Sequence, residues 1–485
     1  MAGDDHRCEW RDEAEALRAE VAELRAQFAK LQRHVFGKRS EKMPTVEEEL
    51  RRVGAVTPDP EAALARRREN AAKKKALPVR EIVHKVPEEK KVCPKCGGHD
   101  FTPLGKGRVT TVYEYIPARF EQQLHIQEKV RCKCGETILT AEGAPKAYDK
   151  AGYGPGLLAH LAVAKCADSI PIYRLAKQYR RHGIPVRRSS LNDLLHRTAE
   201  ETAPLSRRLL ELTAQEEIVQ ADETTVRVLA EGKTRTAWLW SFLAQDAKGN
   251  DLIAYRYSPS RSGETPVAVL GGTKGFLVSD GYTGYNKVTT PKGRERVGCI
   301  AHLRRHFFDA LQTAPEARAA LDLILEVYKV EKIAAEMNIL GTLQHLALRR
   351  DKSRRAMEDL HAWLEAERPK HLPKGPLGEA IGYALNQWRP LTRFLDDARL
   401  PVDNNASERA LRPAALGRKN YLFVGNDHAG QNIAGLYSLV ATCEVNGVNP
   451  FEYLADVLPR LAIHPASRID ELLPHRWSAA PPAPS

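Results

Sequence analysis

Between Glu13 and Val35 the apolar residues Leu17, Val21, Leu24, Phe28, Leu31 and Val35 recur at alternating steps of four and three. This is the repeat of a two-stranded coiled-coil seam. The run covers fewer than three heptads, so an amphipathic helix packed on its own domain accounts for it as well as a dimerising zipper does. Residues 44–91 lose the periodicity: Pro, Glu, Arg and Lys dominate, Lys73, Lys74 and Lys75 fall together, and the stretch reads as a basic linker. From Val92 to about Thr140, β-prone runs such as Val109 to Ile116 alternate with Gly and Pro. Helical periodicity returns over 157–215, punctuated by Pro171 and by Gly183, Ile184 and Pro185. Strand-like runs follow at Glu217 to Leu229, Ala237 to Gln245, Leu252 to Tyr257 and Phe276 to Asp280, with turn signals such as Lys248, Gly249 and Asn250 between them. From His302 to about Asp397 the pattern is helical again, with Arg349, Arg350, Arg354 and Arg355 among Ala- and Leu-rich segments. Helices therefore interrupt the strand-rich region. Past Leu400 comes a polar stretch dense in Asn, Asp and Arg, then a helix around Pro450 to Leu461 and a Pro- and Ala-rich tail expected to be disordered.

A chain of 485 residues, 42% of them hydrophobic, exceeds the size at which a single core keeps growing and predicts two to four modules. The 74 Lys and Arg against 62 Asp and Glu leave a net charge of +12, which favours a polyanionic partner. Four of the eight cysteines form two tight pairs, while Cys8, Cys166, Cys299 and Cys443 are scattered singly. That suits a reducing cytoplasm better than a disulfide framework. No stretch approaches the roughly 20 uninterrupted apolar residues of a membrane span, and the N-terminus lacks the apolar core of a signal peptide. The expectation is a soluble cytoplasmic protein with no membrane partner.

The first cysteine pair, Cys93-Pro-Lys-Cys96-Gly-Gly, has the two-residue spacing of a zinc knuckle, and Cys132-Lys-Cys134-Gly offers two further thiolates for a tetrahedral ion. One residue rather than two separates the second pair, which strains joint binding. His125 replacing one sulfur, or a metal-free remnant, stands as an alternative. A closed site of this kind serves binding or structure, since it leaves no open position for catalysis. Between Pro171 and Thr198 a basic first helix (Arg174, Lys177, Arg180, Arg181), a Gly-containing turn and a second helix from Arg187 and Arg188 onward read as a helix-turn-helix whose second helix enters a major groove. A basic helical hairpin without that role is the plainer reading.

Acids at strand ends carry more specific chemistry. Asp222 follows an apolar run in Ile218-Val-Gln-Ala-Asp222-Glu-Thr-Thr, and Asp280 ends another in Gly275-Phe-Leu-Val-Ser-Asp280-Gly-Tyr. A carboxylate fixed at a sheet edge can grip a hard cation while waters and phosphate oxygens complete its shell. Glu408 follows in Asp403-Asn-Asn-Ala-Ser-Glu408-Arg-Ala-Leu-Arg412, one turn into a helix that Asp403 is placed to cap. Two acids from strands and one from a helix can hold two ions ~3.5–4 Å apart for in-line phosphoryl transfer. Arg409, Arg412, Arg418 and Lys419 crowd near Glu408 as candidate phosphate contacts. His302, Arg304 and Arg305 follow a short strand and begin a helix, and either join them beside the metals or form a charged helix face with a satisfied histidine.

These stations resemble those of DDE transposases. The surrounding words Ala221-Asp-Glu-Thr, Ser279-Asp-Gly-Tyr, Cys299-Ile-Ala-His-Leu-Arg-Arg-His-Phe, Asp403-Asn-Asn-Ala-Ser-Glu-Arg and Leu416-Gly-Arg-Lys-Asn-Tyr-Leu-Phe-Val-Gly resemble the insertion sequence sixty-six family of bacterial transposases. So does His34-Val-Phe-Gly-Lys-Arg-Ser-Glu-Lys-Met. The resemblance spans nearly the whole chain and departs from the family pattern at the second cysteine pair. It implies a multidomain α/β protein with a ribonuclease-H-like catalytic core: a coiled-coil helix at 1–43, the linker at 44–91, a zinc-ribbon-like module at 92–145 and a helical DNA-binding region at 150–215. The core would cover 216–430 with an all-helical insertion at about 302–397, followed by a C-terminal helical module at 431–465 and the tail at 466–485. It further implies catalysis by Asp222, Asp280 and Glu408 with two Mg²⁺, Mn²⁺ able to substitute, a structural Zn²⁺, and DNA partners in the element's terminal repeats and the target. Homo-oligomers through the N-terminal helix and on DNA, accessory proteins of the same element and a nucleoid-associated location follow in the same way. A non-catalytic DNA-binding zinc protein leaves the three acids without purpose. A ribonuclease-H-like nuclease without strand transfer leaves the N-terminal apparatus unexplained.

Overall fold

The computed structural model describes residues 151–478 continuously and, before them, 43–54, 60–75, 120–131 and 138–141 with a few isolated positions. The chain divides into two compact units, Leu50–Glu121 and the remainder. The stretch expected to be a linker contains helices Val46–Arg52 and Pro60–Lys75. The second is rich in Ala, Glu, Arg and Lys, strong helix formers without the apolar stripe that periodicity detects, and the first, Val-Glu-Glu-Glu-Leu-Arg-Arg, is too short to show one.

In the larger unit a helical layer comes first: α1 (Pro155–Cys166), α2 (Ile172–Arg181) and α3 (Arg188–Gln215). Leu175 and Tyr179 bury one face of α2, and Arg174, Lys177, Arg180 and Arg181 stay exposed on the other. Gly183 supplies the positive φ of +90° in the turn to α3, which only glycine adopts cheaply. Arg187 and Arg188 are exposed where α3 begins.

Among the described residues the sheet that follows is five-stranded. Its strands are β1 (Ile218–Ala230), β2 (Lys233–Gln245), β3 (Asp251–Ser258), β4 (Gly275–Val278) and β5 (Arg294–Val297), in the spatial order β3-β2-β1-β4-β5. The first three form an antiparallel meander, and β4 and β5 join parallel to β1. Helix α4 (Glu264–Leu270) lies between β3 and β4 in sequence. Gly275 sits at φ +108°, where a Cβ would stand 2.2 Å from the Glu217 carbonyl oxygen. Glycine thus permits the close approach in which Phe276 N–H donates to Glu217 O at 2.7 Å, fixing the β1/β4 register. β5 is the short strand expected before His302, although its residues are Arg-Glu-Arg-Val. Arg294 is only 1% exposed and donates to the carbonyls of Ala214, Glu216, Glu217 and Phe276 and to the Thr273 hydroxyl, which makes burial of a guanidinium tolerable.

From β5 onward the chain runs through α5 (Ile300–Ala310), α6 (Ala317–Glu336), α7 (Leu343–Leu348), α8 (Arg354–Glu367), α9 (Pro376–Asn386) and α10 (Trp388–Thr392). Phe307, Leu321, Met357, Leu360, Ile381 and Leu391 build a core with Val278 and Val297 of the sheet. Arg349 is buried here, bonded to Glu331 at 2.7 and 2.8 Å and to the carbonyls of Phe394 and Leu400.

Then come α11 (Asn405–Asn420) and α12 (Asp427–Val445). α12 overlaps the helical module expected at 431–465; glycines and hydroxyl residues blur its periodicity, and the structure gives their purpose. Edge strand β3 needs partners for its free N–H groups. Tyr255, Ile253 and Asp251 donate to Ser438 Oγ, Thr442 Oγ1 and Asn446 Oδ1 at 2.8, 3.1 and 3.1 Å. Two residues of strand advance about as far as four of helix, so one helix face covers the edge. A Cβ on Gly430 would meet the Tyr257 ring at 2.5 Å.

After α13 (Pro450–Leu461) the segment expected to be a disordered tail is ordered through residue 478. Leu472 and Leu473 are buried, Tyr453 Oη donates to Leu472 O at 2.8 Å, and Trp477 Nε1 donates to Asp456 at 2.7 Å. Leu472, Leu473 and Trp477 are apolar anchors diluted by Pro and Ala. No helix among the described residues is long and apolar enough to cross a membrane.

Candidate active site and nucleic-acid interface

The last parallel pair between β1 and β4 is Gln220 with Val278. Asp222 and Asp280 each lie two residues beyond it, at one end of the parallel ladder, Asp222 still within β1 and Asp280 just past the end of β4. Asp222 does not end its strand as the sequence suggested: β1 continues to Ala230, with Asp222 opposite Ser241 of β2. The pleat separates it from the adjacent acid. Val219 and Ala221 face the core that holds Trp240 and Tyr285, so Glu223 falls on that side and Asp222 on the other. Glu223 is engaged there, accepting from Arg261 at 2.8 and 2.6 Å and from Tyr285 Oη at 2.8 Å. Burial still raises its carboxyl above the ordinary range.

Glu408 arrives through Asn404, a residue read in the sequence only as part of a helix start. Asn404 is fully buried; its Nδ2 donates to the carbonyl of Ala221 at 2.8 Å and its backbone N–H to Cys299 Sγ at 3.2 Å. Ile300 N–H bonds Val402 O at 2.9 Å. The start of α11 is thereby tied both to the residue before Asp222 and to the start of α5, and Glu408 follows one turn later, its N–H on Asn404 O. Asp403 sits just outside, accepting from Asn405 N–H at 3.1 Å, Asn405 Nδ2 at 2.8 Å and Tyr328 Oη at 3.0 Å.

The acids share one electrostatic field. Burial above all, then the charges of Glu223, Asp280 and Glu408, push the Asp222 carboxyl from its ordinary 3.8 up to about 7, against the Glu223 N–H bond that lowers it. Asp280 accepts from Tyr282 N–H at 2.9 Å. Glu408 Oε1 stands 3.5 Å from Arg305 and 3.8 Å from His302 Nε2, and burial lowers the His302 pKa. The donors suit a hard divalent cation in kind, and Asp222 lacks compensating positive charge. Each carboxylate is nevertheless turned to a local partner, and among the described residues no three His, Cys, Asp or Glu side chains converge closely enough to hold an ion.

The expected phosphate contacts divide. Arg409, Arg412 and Lys419 lie exposed along α11, and Arg305 is about half exposed. Arg418 turns inward to Thr225, at 2.7 Å from its carbonyl and 2.6 Å from its hydroxyl. Arg304 is a correction: it is 2% exposed, 2.9 Å from Glu49 and 2.8 Å from the Pro44 carbonyl, so it is unavailable to DNA. Its place on the buried stripe of α5, one turn before Phe307, explains this. Cys93, Cys96, Cys132 and Cys134 lie outside the described residues, as do Leu24, Phe28, Leu31 and Val35 of the heptad run; His125 is described and exposed.

A family profile described as "Transposase IS66 family" matches residues 150–432, a stretch that holds the helical layer, the sheet and all three acids. The chain belongs to the IS66 family of transposases. Three further IS66-type profiles extend the match. The IS66 C-terminal element covers 438–475, the zinc-finger binding domain of transposase IS66 covers 90–135 and so contains both cysteine pairs, and "Transposase C of IS166 homeodomain" covers 23–83. Two Sinorhizobium fredii relatives carry the names uncharacterized protein y4hP and y4qI. The first is 30% identical over 95% of this chain and 89% of its own length, the second 32% identical over 81% and 75%. As an IS66 transposase the chain has DNA as its partner, and the zinc-finger profile match points to zinc.

Proposed function

We propose that this IS66 transposase cleaves DNA at the ends of a bacterial insertion element and joins the freed ends to target DNA, with Asp222, Asp280 and Glu408 as its catalytic acids. The observation that carries this reading is that Asp222 and Asp280 lie beyond the last β1–β4 pair while Asn404, one turn before Glu408, is bonded to Ala221; burial raises the Asp222 carboxyl there, a cost that a bound cation would offset. The strand order, three antiparallel strands followed by two parallel ones and then a helix bearing the third acid, supports a ribonuclease-H-like core, and the helices between β5 and α11 support an insertion at about 302–397. Two Mg²⁺ ions held by these acids would supply Lewis-acid activation of water and then of a 3′-hydroxyl, and charge compensation at the phosphate. Asp222, whose carboxyl burial raises, would bind the ions as a carboxylate. Arg305 and His302 stand 3.5 and 3.8 Å from Glu408 Oε1 and would orient that carboxylate. Arg409, Arg412 and Lys419 position phosphates along α11, while Arg174, Lys177, Arg180, Arg181, Arg187 and Arg188 hold the duplex on the helical hairpin without themselves reading sequence. The N-terminal heptads pair two copies, and copies assemble on DNA.

Incubating the full chain with duplexes carrying the DNA ends that flank its gene tests this. Cleavage and strand transfer are expected with Mg²⁺ or Mn²⁺, and binding alone in EDTA. Binding without cleavage under any divalent ion would reduce the protein to a DNA-binding factor, and cleavage without joining would make it a nuclease.

A second expectation concerns the finger. Metal analysis of purified protein should find about one zinc per chain, the content of one tetrahedral site, lost on replacing Cys93 and Cys96 with Ser. Zinc-free protein that folds and binds terminal DNA at full affinity would refute a structural role for the ion.

A further inference from the structure

None of the three acids lines a cavity of about 370 Å³ bounded by α1, α2 and α3 on one side and by Tyr421, Phe423 and the start of α12 on the other. This volume lies near the lower end of small-ligand sites, roughly 300–1,000 Å³. It has room for a single nucleotide and none for a duplex.

Its lining is mixed in a specific way. Lys165 is only 7% exposed, its ammonium lies 3.0 Å from the centroid of the Tyr421 ring, and no carboxylate among the described residues pairs with it. Burial pulls its pKa down to about 7. A buried cation without an anion is costly unless a ligand brings one. Arg188, the first residue of α3, is exposed and also lines the cavity. Tyr173 and Phe423 contribute apolar rings that remain 43% and 44% exposed, large aromatic surface left open to solvent. Phe423 is held rigidly: the next residue, Val424, exchanges backbone bonds with β1, donating to Arg227 O at 2.8 Å and accepting from Leu229 N–H at 2.9 Å. Cations beside open aromatic rings are the chemistry that holds single-stranded nucleic acid, where bases stack and phosphates are neutralised.

We propose that this cavity takes one unpaired nucleotide of DNA, its base against Tyr173 and Phe423 and its phosphate toward Lys165 and Arg188. The proposal rests on the transposase reading for its biological setting, in which an element end is opened next to the helical hairpin that holds it. A nucleotide drawn out of the stack would hold the end open, at an unstacking cost that the rings offset.

Fluorescence anisotropy of the full chain in EDTA tests it with three labelled probes: a short oligothymidylate, an abasic strand of the same length and an element-end duplex. Phe423→Ala is expected to weaken the oligothymidylate about tenfold, in line with the loss of one stacking contact, and to leave the abasic strand and the duplex unchanged. Phe423→Trp should retain the affinity. Lys165→Gln should weaken both single strands while sparing the duplex. Wild-type oligothymidylate affinity in Phe423→Ala, or an equal loss on the abasic strand, would overturn the proposal. Failure to bind the duplex in EDTA, or to cut it once Mg²⁺ is added, would instead count against the transposase reading, with the single-strand result still deciding the cavity.

Discussion

Asp222→Asn is expected to abolish DNA cleavage and, in the same molecule, to make the metal-free protein more stable. The folded carboxyl sits near 7 against an ordinary 3.8, chiefly because it is buried and secondarily because Glu223, Asp280 and Glu408 repel its charge. Between these two values the folded chain keeps a proton that the unfolded chain releases. The contribution to stability therefore falls as pH rises from about 4 to about 7 and stays unfavourable above that range. Each tenfold shift in the proton equilibrium is about 1.4 kcal/mol. Discounted for partial exposure, the cost at pH 8 is on the order of 2 kcal/mol, or a few degrees of Tm. Thermal melts in EDTA should find the Asn variant higher-melting at pH 8, with the gap closing toward pH 5. Mg²⁺ should raise the melting temperature of the wild type and leave the variant unmoved. A variant no more stable than wild type at pH 8 would mean that Asp222 carries no uncompensated charge.

The places where the sequence was legible follow from the same physics. Strands β1, β2 and β3 are β-branched and aromatic, so their pattern announced them to within a few residues, and the hairpin of α2 and α3 was marked by Gly183 and Pro185. Least legible were the bounds of the elements whose stabilising groups are polar. β5 holds its place through the carbonyl-bonded Arg294, and α12 through the hydroxyls of Ser438 and Thr442 on an edge strand. Local composition carries neither partner. The candidate acids were visible as residue types, but what brings them together is long-range: the glycine-dependent register of β4 against β1 and the Asn404 bond to Ala221. Arg304 misled because charge suggests exposure, whereas its carboxylate partner Glu49 lies far away in sequence.

Glu408 and Asp403, five residues apart, separate most sharply under substitution. Asp403 is satisfied locally: Asn405 N–H, Asn405 Nδ2 and Tyr328 Oη supply its oxygens at 2.8 to 3.1 Å, although burial raises its pKa. The N-cap of α11 is Asn404 rather than Asp403, and Asn retains an acceptor oxygen for the Asn405 N–H, so Asp403→Asn should keep the α11 start in place and much of the cleavage activity. Glu408 has no such local bonds. Its carboxylate faces Arg305 and His302 at 3.5 and 3.8 Å, contacts loose enough to be exchanged for a cation, and its backbone is held by Asn404, which also holds Ala221. Glu408→Gln keeps the size and the helix while removing the charge. Cleavage should then fall on the order of a thousandfold, about 4 kcal/mol of transition-state stabilisation, while duplex binding in EDTA stays within about twofold, since a neutral Gln removes no phosphate contact. Rates on element-end DNA for both variants decide between the acids. If Asp403→Asn were dead and Glu408→Gln active, Asp403 would be the third ligand, and the Tyr328 and Asn405 bonds would have to be read as the packing of a catalytic carboxylate rather than of a helix start.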